Sequence, residues 1–191
     1  MKEILLILLG TIFVNNFVFA RFLGTCPYIG VSKKTSDSLS MGIAVLFVLI
    51  LASVTSWYIH YFLLVPLKIE YLQTIVFILV IASLVQLVEM FLLKTSPGLY
   101  NALGIYLPLI TTNCIILAVA ILNIRQEHNI IITLIFTLGA GLGFTLALVL
   151  MSAIRERLEL SDIPESLKSE PIAFLTAGLI AIAFLGFSGI N

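Results

Sequence analysis

Long apolar segments constrain the fold of this chain more than any other feature of its sequence. Six of them can be delimited, at about residues 4–23, 41–66, 71–93, 99–124, 129–154 and 172–190. A helix needs roughly 20 apolar residues to cross the hydrocarbon core of a bilayer, so the inner four are ample and the first and last are short. Prolines, glycines and charged residues occupy the joints. The sequence therefore predicts an all-α integral membrane protein, with six transmembrane helices in a single membrane domain, residues 1–191.

Composition excludes several classes of function. Hydrophobic residues make up 61% of the chain and charged residues 10%, and the formal net charge is zero. A soluble domain carries far more charge, and a nucleic-acid-binding protein would show a basic tract. Membrane lipid is therefore an expected partner and nucleic acid is not. Two cysteines are also too few for a disulfide scaffold.

The first apolar segment is open to two interpretations. Its lysine, its apolar core and its Val-Phe-Ala ending are typical of a cleaved signal peptide. Asn15 and Asn16 interrupt that core, however, and the block around Cys26 begins directly after it. We expect the segment to be retained as the first span.

Lysines and arginines predict the orientation of the chain, because they accumulate on the cytoplasmic side. If both termini lie on one side, that side holds three of these residues: Lys2, Lys68 and Arg125. The opposite side holds seven: Arg21, Lys33, Lys34, Lys94, Arg155, Arg157 and Lys168. The count predicts that both termini are periplasmic.

Six spans divide into two halves of three, and a second half that repeats the first must then be inverted in the bilayer. Inverted repeats place functional sites near the membrane midplane, on interrupted helices. Spans one and four both hold a glycine and a proline close to a cysteine: Gly24 and Pro27 in span one, Gly104 and Pro108 in span four. We therefore predict two inverted three-helix repeats with interrupted helices one and four.

Cys26 and Cys114 are the residues that most directly suggest chemistry. Cys114 lies deep in the fourth segment, after Pro108 and the polar triplet Thr111-Thr112-Asn113. It could be a small buried hydrophobe beside a proline kink, or part of an internal site. Cys26, between Gly24 and Pro27, is placed where a helix N-terminus would stabilise a thiolate. Two such thiols suggest a shared metal, and an iron–sulfur cluster with four thiolates would need a second subunit.

Other polar residues inside the spans have two interpretations as well. Glu89 could bind a cation, or could be structural because Lys94 and the cytoplasmic surface are close in sequence. Asn15, Asn16 and Asn113 suit the ion path or hydrogen bonds between helices. Gln86 suits hydrogen bonds between helices, and GAGLG at 139–143 suits close helix packing. The charged block at 154–164 is typical of a solvated helix extension.

Four blocks together resemble a known family. They are VNNFVFARFLGTCPYIGVSKK at 14–34, VQLVEMFLLKTSPGLYNALGIYLPLITTNC at 85–114, AIRERLELSDIP at 153–164 and FLTAGLIAIAFLGFSG at 174–189. In order and spacing they are similar to the A subunit of the bacterial Rnf (Rsx) complex, an ion-translocating ferredoxin:NAD oxidoreductase. The paralogous E subunit of the sodium-translocating NADH:quinone reductase shares part of this pattern and is the alternative.

The resemblance implies a non-autonomous subunit of a translocase in the bacterial inner membrane. It implies a [2Fe–2S] cluster bound by Cys26 and Cys114 together with two cysteines of the homologous, inverted E subunit of Rnf. Electrons would cross the membrane through this cluster, coupled to movement of Na⁺ or H⁺. The B, C, D and G subunits of Rnf would complete the complex. A small secondary transporter with inverted repeats is a rival hypothesis, although it would not require thiols.

Overall fold

The computed structural model describes residues 2–95, 107–161, 164 and 170–186. Within these ranges the chain forms helices joined by short turns, and the described part contains no strand. The predicted all-α class is confirmed. Backbone amides in lipid must be satisfied within the chain, and helices do this segment by segment.

The first apolar segment is a broken helix followed by two short ones. Its parts are α1 (Lys2–Leu9), a π-helical turn (Gly10–Val14), α2 (Phe17–Arg21) and α3 (Thr25–Gly30). The break comes at Asn15, where φ is −104° and ψ is 41°, and Asn16 then caps α2. The predicted interruption of span one is therefore confirmed. It consists of two breaks rather than one: the first at Asn15 and the second between α2 and α3.

Two long helices complete the first half. The first is α4 (Thr35–Ile59), which continues through a π-helical turn (His60–Leu64) into α5 (Val65–Leu67). The second is α6 (Gln73–Thr95), which follows a 3-10 turn (Glu70–Leu72). Lys68 adopts a left-handed conformation, with φ of 53°, and reverses the chain between α5 and α6.

The second half begins, in the described residues, with another interrupted helix. Its helices are α7 (Leu107–Thr111), α8 (Cys114–Arg125), α9 (Ile130–Glu159) and α10 (Glu170–Leu185). Thr112 and Asn113 separate α7 from α8. The interruption of span four is confirmed, but it lies after Pro108 rather than at it. Gly104 lies outside the described residues.

Among the residues that the structure describes, four helical stretches are long and apolar enough to cross a membrane. They are Thr35–Leu67, Glu70–Met90, Pro108–Arg125 and Ile130–Glu159. The helix α10 is apolar but shorter, and α1 with its π-helical turn is shorter again. The four spans agree with the inner four predicted segments, and the total of six spans stays a prediction.

The helix α9 is the centre of the packed structure. It contacts α4, α1, α2, α8 and α10. Glycines allow the closest of these approaches: a Cβ on Gly143 would lie 3.3 Å from both the Ile12 Cα and the Thr11 carbonyl oxygen. Gly139 meets the Thr11 side chain, and Gly141 meets Leu46 of α4. The predicted close-packing role of GAGLG is confirmed, and it serves two helix contacts rather than one.

A buried hydrogen-bonded chain joins α4, α8 and α9 near one end of the bundle. Asn123 Nδ2 donates to Thr137 Oγ1 (3.3 Å), and Thr137 Oγ1 donates to Ser53 Oγ (3.0 Å). The other amide atom, Asn123 Oδ1, lies 3.1 Å from His128 Nδ1. Polar side chains of this kind hold membrane helices together because lipid offers them no alternative partner.

We expect Gly143→Ala to destabilise the bundle, because its Cβ would press on the backbone of the first segment. Overpacking of this kind costs about 1–3 kcal/mol. A Cβ on Gly178 of α10 would have no atom within 4 Å, so Gly178→Ala is a matched control. Unfolding in detergent titrated with denaturant should show a lower midpoint for Gly143→Ala alone. Equal midpoints for the two variants would contradict the packing described for α9.

Candidate functional site

The two interrupted segments meet at their cysteines. Cys26 is the second residue of α3 and Cys114 is the first residue of α8. The main-chain N–H of Gly24, two residues before Cys26, donates a hydrogen bond of 2.9 Å to Cys114 Sγ. Both thiols are free and exposed at the surface of the chain. The turn that precedes Cys26 therefore contacts Cys114, although the two cysteines are 88 positions apart in sequence.

Gly24 is required at this junction for two reasons. Its φ of 74° lies in the left-handed region, which residues with a side chain rarely adopt. A Cβ at this position would also lie 2.9 Å from the ring of Phe144. The glycine thus lets the α2–α3 connection approach α9 closely enough for its amide to reach the Cys114 sulfur.

Asparagines cap the helices that follow the two breaks. Asn16 Oδ1 accepts from the Val18 amide (3.0 Å), and Asn113 Oδ1 accepts from the Ile115 amide (3.3 Å). The amide nitrogen of Asn16 also donates to the carbonyl oxygens of Ile12 (3.0 Å) and Gly143 (2.9 Å). These bonds satisfy backbone groups that each interruption would otherwise leave unpaired in lipid.

Asn113 differs from Asn16 in one respect. Its Nδ2 is buried and has no hydrogen-bond partner among the described residues. The residue is 4% exposed, and it directly precedes Cys114. A buried amide group without an acceptor costs free energy, which makes it a donor available to whatever completes the site. Asn15, by contrast, is exposed and ends the π-helical turn of the first segment.

The site lies at half the height of the long helix α9. The 30 residues of α9 span about 45 Å, which exceeds the roughly 30 Å hydrocarbon core. Phe144, which faces Gly24, is the fifteenth residue of Ile130–Glu159. The thiols therefore lie at a depth that corresponds to the middle of the bundle.

Arg155 anchors the far end of the short helix that carries Cys26. Its guanidinium donates to the carbonyl oxygen of Ile29 (2.6 Å) and to Ser32 Oγ (3.1 Å), and it lies 3.8 Å from a carboxylate oxygen of Glu170. Ile29 is in the last turn of α3, where carbonyls lack partners within the helix. The arginine thereby ties α3 to α9 and α10.

Glu156, the next residue, performs a similar function for α4. Its Oε1 accepts from the main-chain N–H and the hydroxyl of Thr35, both at 2.8 Å. Thr35 is the first residue of α4, where amides are unpaired and negative charge is favourable.

The expectation that the block at 154–164 is a solvated helix extension is wrong for Arg155, because this residue is only 7% exposed.

A periodic signal in the sequence could have identified Arg155. The buried face of α9 runs through Phe144, Leu148, Met151 and Ser152, and Arg155 continues the spacing of three and four residues. A charged residue in phase with a buried stripe requires a partner inside the protein.

Glu89 lies on α6, which packs against α7 and α8. It is half-buried, and its Oε2 accepts from Nε2 of the exposed Gln86 (3.2 Å). Within the described part of the chain, the structure brings Glu89 into contact with neither cysteine. Gln86 therefore pairs with Glu89 on its own helix rather than joining two helices.

Within residues 2–95, 107–161, 164 and 170–186, no group of three or more His, Cys, Asp or Glu side chains is arranged so that it could hold a metal ion. The two cysteines offer two ligands at the protein surface. A metal centre with more thiolates would take the others from a second chain.

These features define an all-helical membrane protein in which two discontinuous helices meet at half height and present a pair of thiols. A family model described as "Rnf-Nqr subunit, membrane protein" matches residues 4–191. The chain belongs to this family.

Curated relatives agree over the full length of the chain. It is 59% identical over 188 residues, 98% of both chains, to the A subunit of the "Na(+)-translocating ferredoxin:NAD(+) oxidoreductase complex" of Acetobacterium woodii. It is 55% and 53% identical, over 190 residues in each case, to the A subunits of the "Ion-translocating oxidoreductase complex" of Syntrophotalea carbinolica and Vibrio cholerae. In both, the match covers 100% of this chain and 98% of the relative. The resemblance to the A subunit of Rnf is confirmed, and the relatives are subunits of complexes, as predicted.

We expect Arg155→Gln to loosen α3, because the Ile29 carbonyl would lose its charged donor. An unsatisfied buried group costs about 1–3 kcal/mol, which corresponds to roughly 5- to 150-fold faster local opening. Hydrogen exchange of the amides between Thr25 and Val31 would report this change. Arg157→Gln is the matched control, because Arg157 is exposed on the same helix. Exchange that is equally slow in both variants would show that Arg155 does not hold α3.

Proposed function

We propose that this chain is the A-type membrane subunit of an ion-translocating ferredoxin:NAD oxidoreductase. In this proposal, Cys26 and Cys114 supply half of the ligands of a [2Fe–2S] cluster. The homologous E subunit of the complex, inverted in the membrane, supplies the other half. The B, C, D and G subunits of Rnf carry the remaining steps, and electron transfer is coupled to translocation of Na⁺ or H⁺.

The contact between Gly24 and Cys114 is the observation that carries the proposal. It joins the turn before Cys26 to the Cys114 sulfur beside the middle of α9, and both thiols are exposed rather than buried in the protein core. A pair of structural cysteines would have no need to meet across two interrupted helices. Thiols at the surface of one chain can be completed by a second chain.

The surroundings of the thiols fit an anionic iron–sulfur centre. Gly24 already provides a main-chain N–H to sulfur, and the buried Asn113 Nδ2 remains available as a further donor. Donors of this kind stabilise thiolates where water is excluded, and they influence the reduction potential. When bound, the cluster would supply one-electron transfer. The chain's own residues would hold the two sulfurs, orient them and exclude water on one side.

The proposed complex lies in the bacterial inner membrane, with both termini of this chain in the periplasm. The excess of Lys and Arg on the opposite side supports this orientation. An inverted partner would then have its own interrupted helices at the same depth in the membrane. An open apolar groove of about 420 Å³, lined by residues such as Phe13, Phe22 and Leu185, lies beside the α2 break. It offers apolar surface that a neighbouring membrane protein of the complex would cover.

We expect Cys26→Ser and Cys114→Ser each to abolish the [2Fe–2S] signal in electron paramagnetic resonance of the purified complex. Serine keeps the size and polarity of the side chain but removes the sulfur ligand. Ferredoxin-linked NAD reduction should be lost together with the signal, while the chain remains inserted in the membrane.

Thr25→Ala, next to Cys26, is the control and should leave the signal intact. Thr25 donates through its hydroxyl to the Phe22 carbonyl (3.3 Å) on the exposed side of the turn. A cysteine variant that keeps the full signal would refute the ligand assignment.

Glu89→Gln tests whether Glu89 belongs to the ion path. If it does, removal of the carboxylate charge should reduce coupled ion transport while the cluster signal is unchanged, because Glu89 does not touch the cysteines in the described structure. Glu70→Gln, at an exposed position before α6, is the matched control. Transport by Glu89→Gln at the rate of the control would make Glu89 a structural residue.

A further inference from the structure

Arg21 is the exposed last residue of α2, and the structure places it inside the interruption of the first segment. Counting it with the loop between the first two spans was therefore wrong, although six positive residues against three still favour the same orientation. The α2–α3 turn follows directly, and three residues after Arg21 the Gly24 amide reaches Cys114 Sγ.

The depth of the Arg21 guanidinium follows from its neighbours. Its Cζ lies 5.4 Å from the centroid of the Phe17 ring, and that ring packs edge-on against Phe136 at 5.9 Å. Asn16, which precedes Phe17, binds the carbonyl oxygen of Gly143. Phe136 and Gly143 are the seventh and fourteenth of the 30 residues of α9. The Phe17 ring that the guanidinium contacts thus lies beside the part of α9 between Phe136 and Gly143, inside the candidate span Ile130–Glu159.

A charge at this depth requires compensation. The Phe17 ring provides a cation–π contact, but in the described residues no carboxylate lies within ion-pair distance of Arg21. An exposed guanidinium facing lipid tails is costly, and such residues in spans normally face protein or a polar cavity. Backbone distances of at most 3.8 Å per residue keep the Arg21 Cα within about 11 Å of the Gly24 Cα. The turn that contacts the Cys114 sulfur is therefore close to Arg21, and thiolates at this site would carry negative charge.

We propose that Arg21 supplies a fixed positive charge that compensates the anionic thiolate centre and stabilises its reduced form. This inference rests on the proposed function above. Uptake of one electron from a neighbouring one-electron carrier of the complex adds one negative charge to the centre and neither makes nor breaks a bond. A guanidinium held near the centre in a medium of low dielectric constant lowers the free energy of the added charge. Arg21 is a charge-compensating residue rather than a ligand.

Potentiometric titration of the purified complex, monitored by electron paramagnetic resonance, tests the role of Arg21. Arg21→Gln should make the midpoint potential of the cluster more negative. A tenfold loss in the equilibrium constant for reduction corresponds to about 59 mV for one electron. Arg21→Lys keeps the charge and should retain most of the wild-type potential. Lys33→Gln removes an exposed charge beyond α3 and should leave the potential unchanged.

The outcomes separate this inference from the proposed function. A complex that shows no cluster even with the wild-type chain would refute the proposed function. A normal cluster with an unchanged potential in Arg21→Gln would overturn the role of Arg21 alone. If Arg21→Gln fails to assemble, Arg21→Lys must still assemble with a near-normal potential, and failure of both variants would also overturn the role.

Discussion

The hydrogen bond from the Gly24 amide to the Cys114 sulfur is the contact on which the proposed site depends. It exists because two helices are interrupted at the same depth, and interruptions in lipid are stable only where every freed backbone group finds a partner. Asn16 and Asn113 supply such partners at the two breaks, and the positive φ of Gly24 brings one break against the other. The site is therefore a consequence of how the backbone is satisfied, rather than an addition to a finished bundle.

Anchoring of the site extends to the end of α9. Glycines on this helix allow the first segment to pack closely against it, and Phe144 packs against the turn at Gly24. Arg155 binds the last turn of α3. The short helix with Cys26 is thus fixed at both of its ends by a single long helix. A centre that exchanges electrons with little rearrangement benefits from ligands held in this way, because rigid surroundings keep their geometry constant.

Much of the fold could be predicted from the sequence, because apolar segment length determines span number and interruptions follow Gly, Pro and Asn. Contact between the two interrupted segments could be predicted as well, since matching breaks in the two halves implied a common depth, while the pairing of Cys26 with Cys114 stays a prediction. The count of charges did not assign Arg155 and Arg21 correctly, because it assumes that Lys and Arg lie in loops. Arg155 instead continues a buried stripe, and Arg21 ends the short helix α2, which lies between the break at Asn15 and the predicted break at Gly24. Pro108 did not mark the second interruption, because it lies within the described helix α7.

The central claim is that Cys26 and Cys114 meet at half the height of the bundle, and the chain offers a direct measurement because these are its two cysteines. Nitroxide labels can be attached to both thiols of the metal-free protein, with the Cys26→Ser and Cys114→Ser chains as singly labelled references. Electron paramagnetic resonance of the doubly labelled chain should show strong dipolar broadening relative to the sum of the two references. A doubly labelled spectrum identical to that sum would place the thiols far apart and contradict the account.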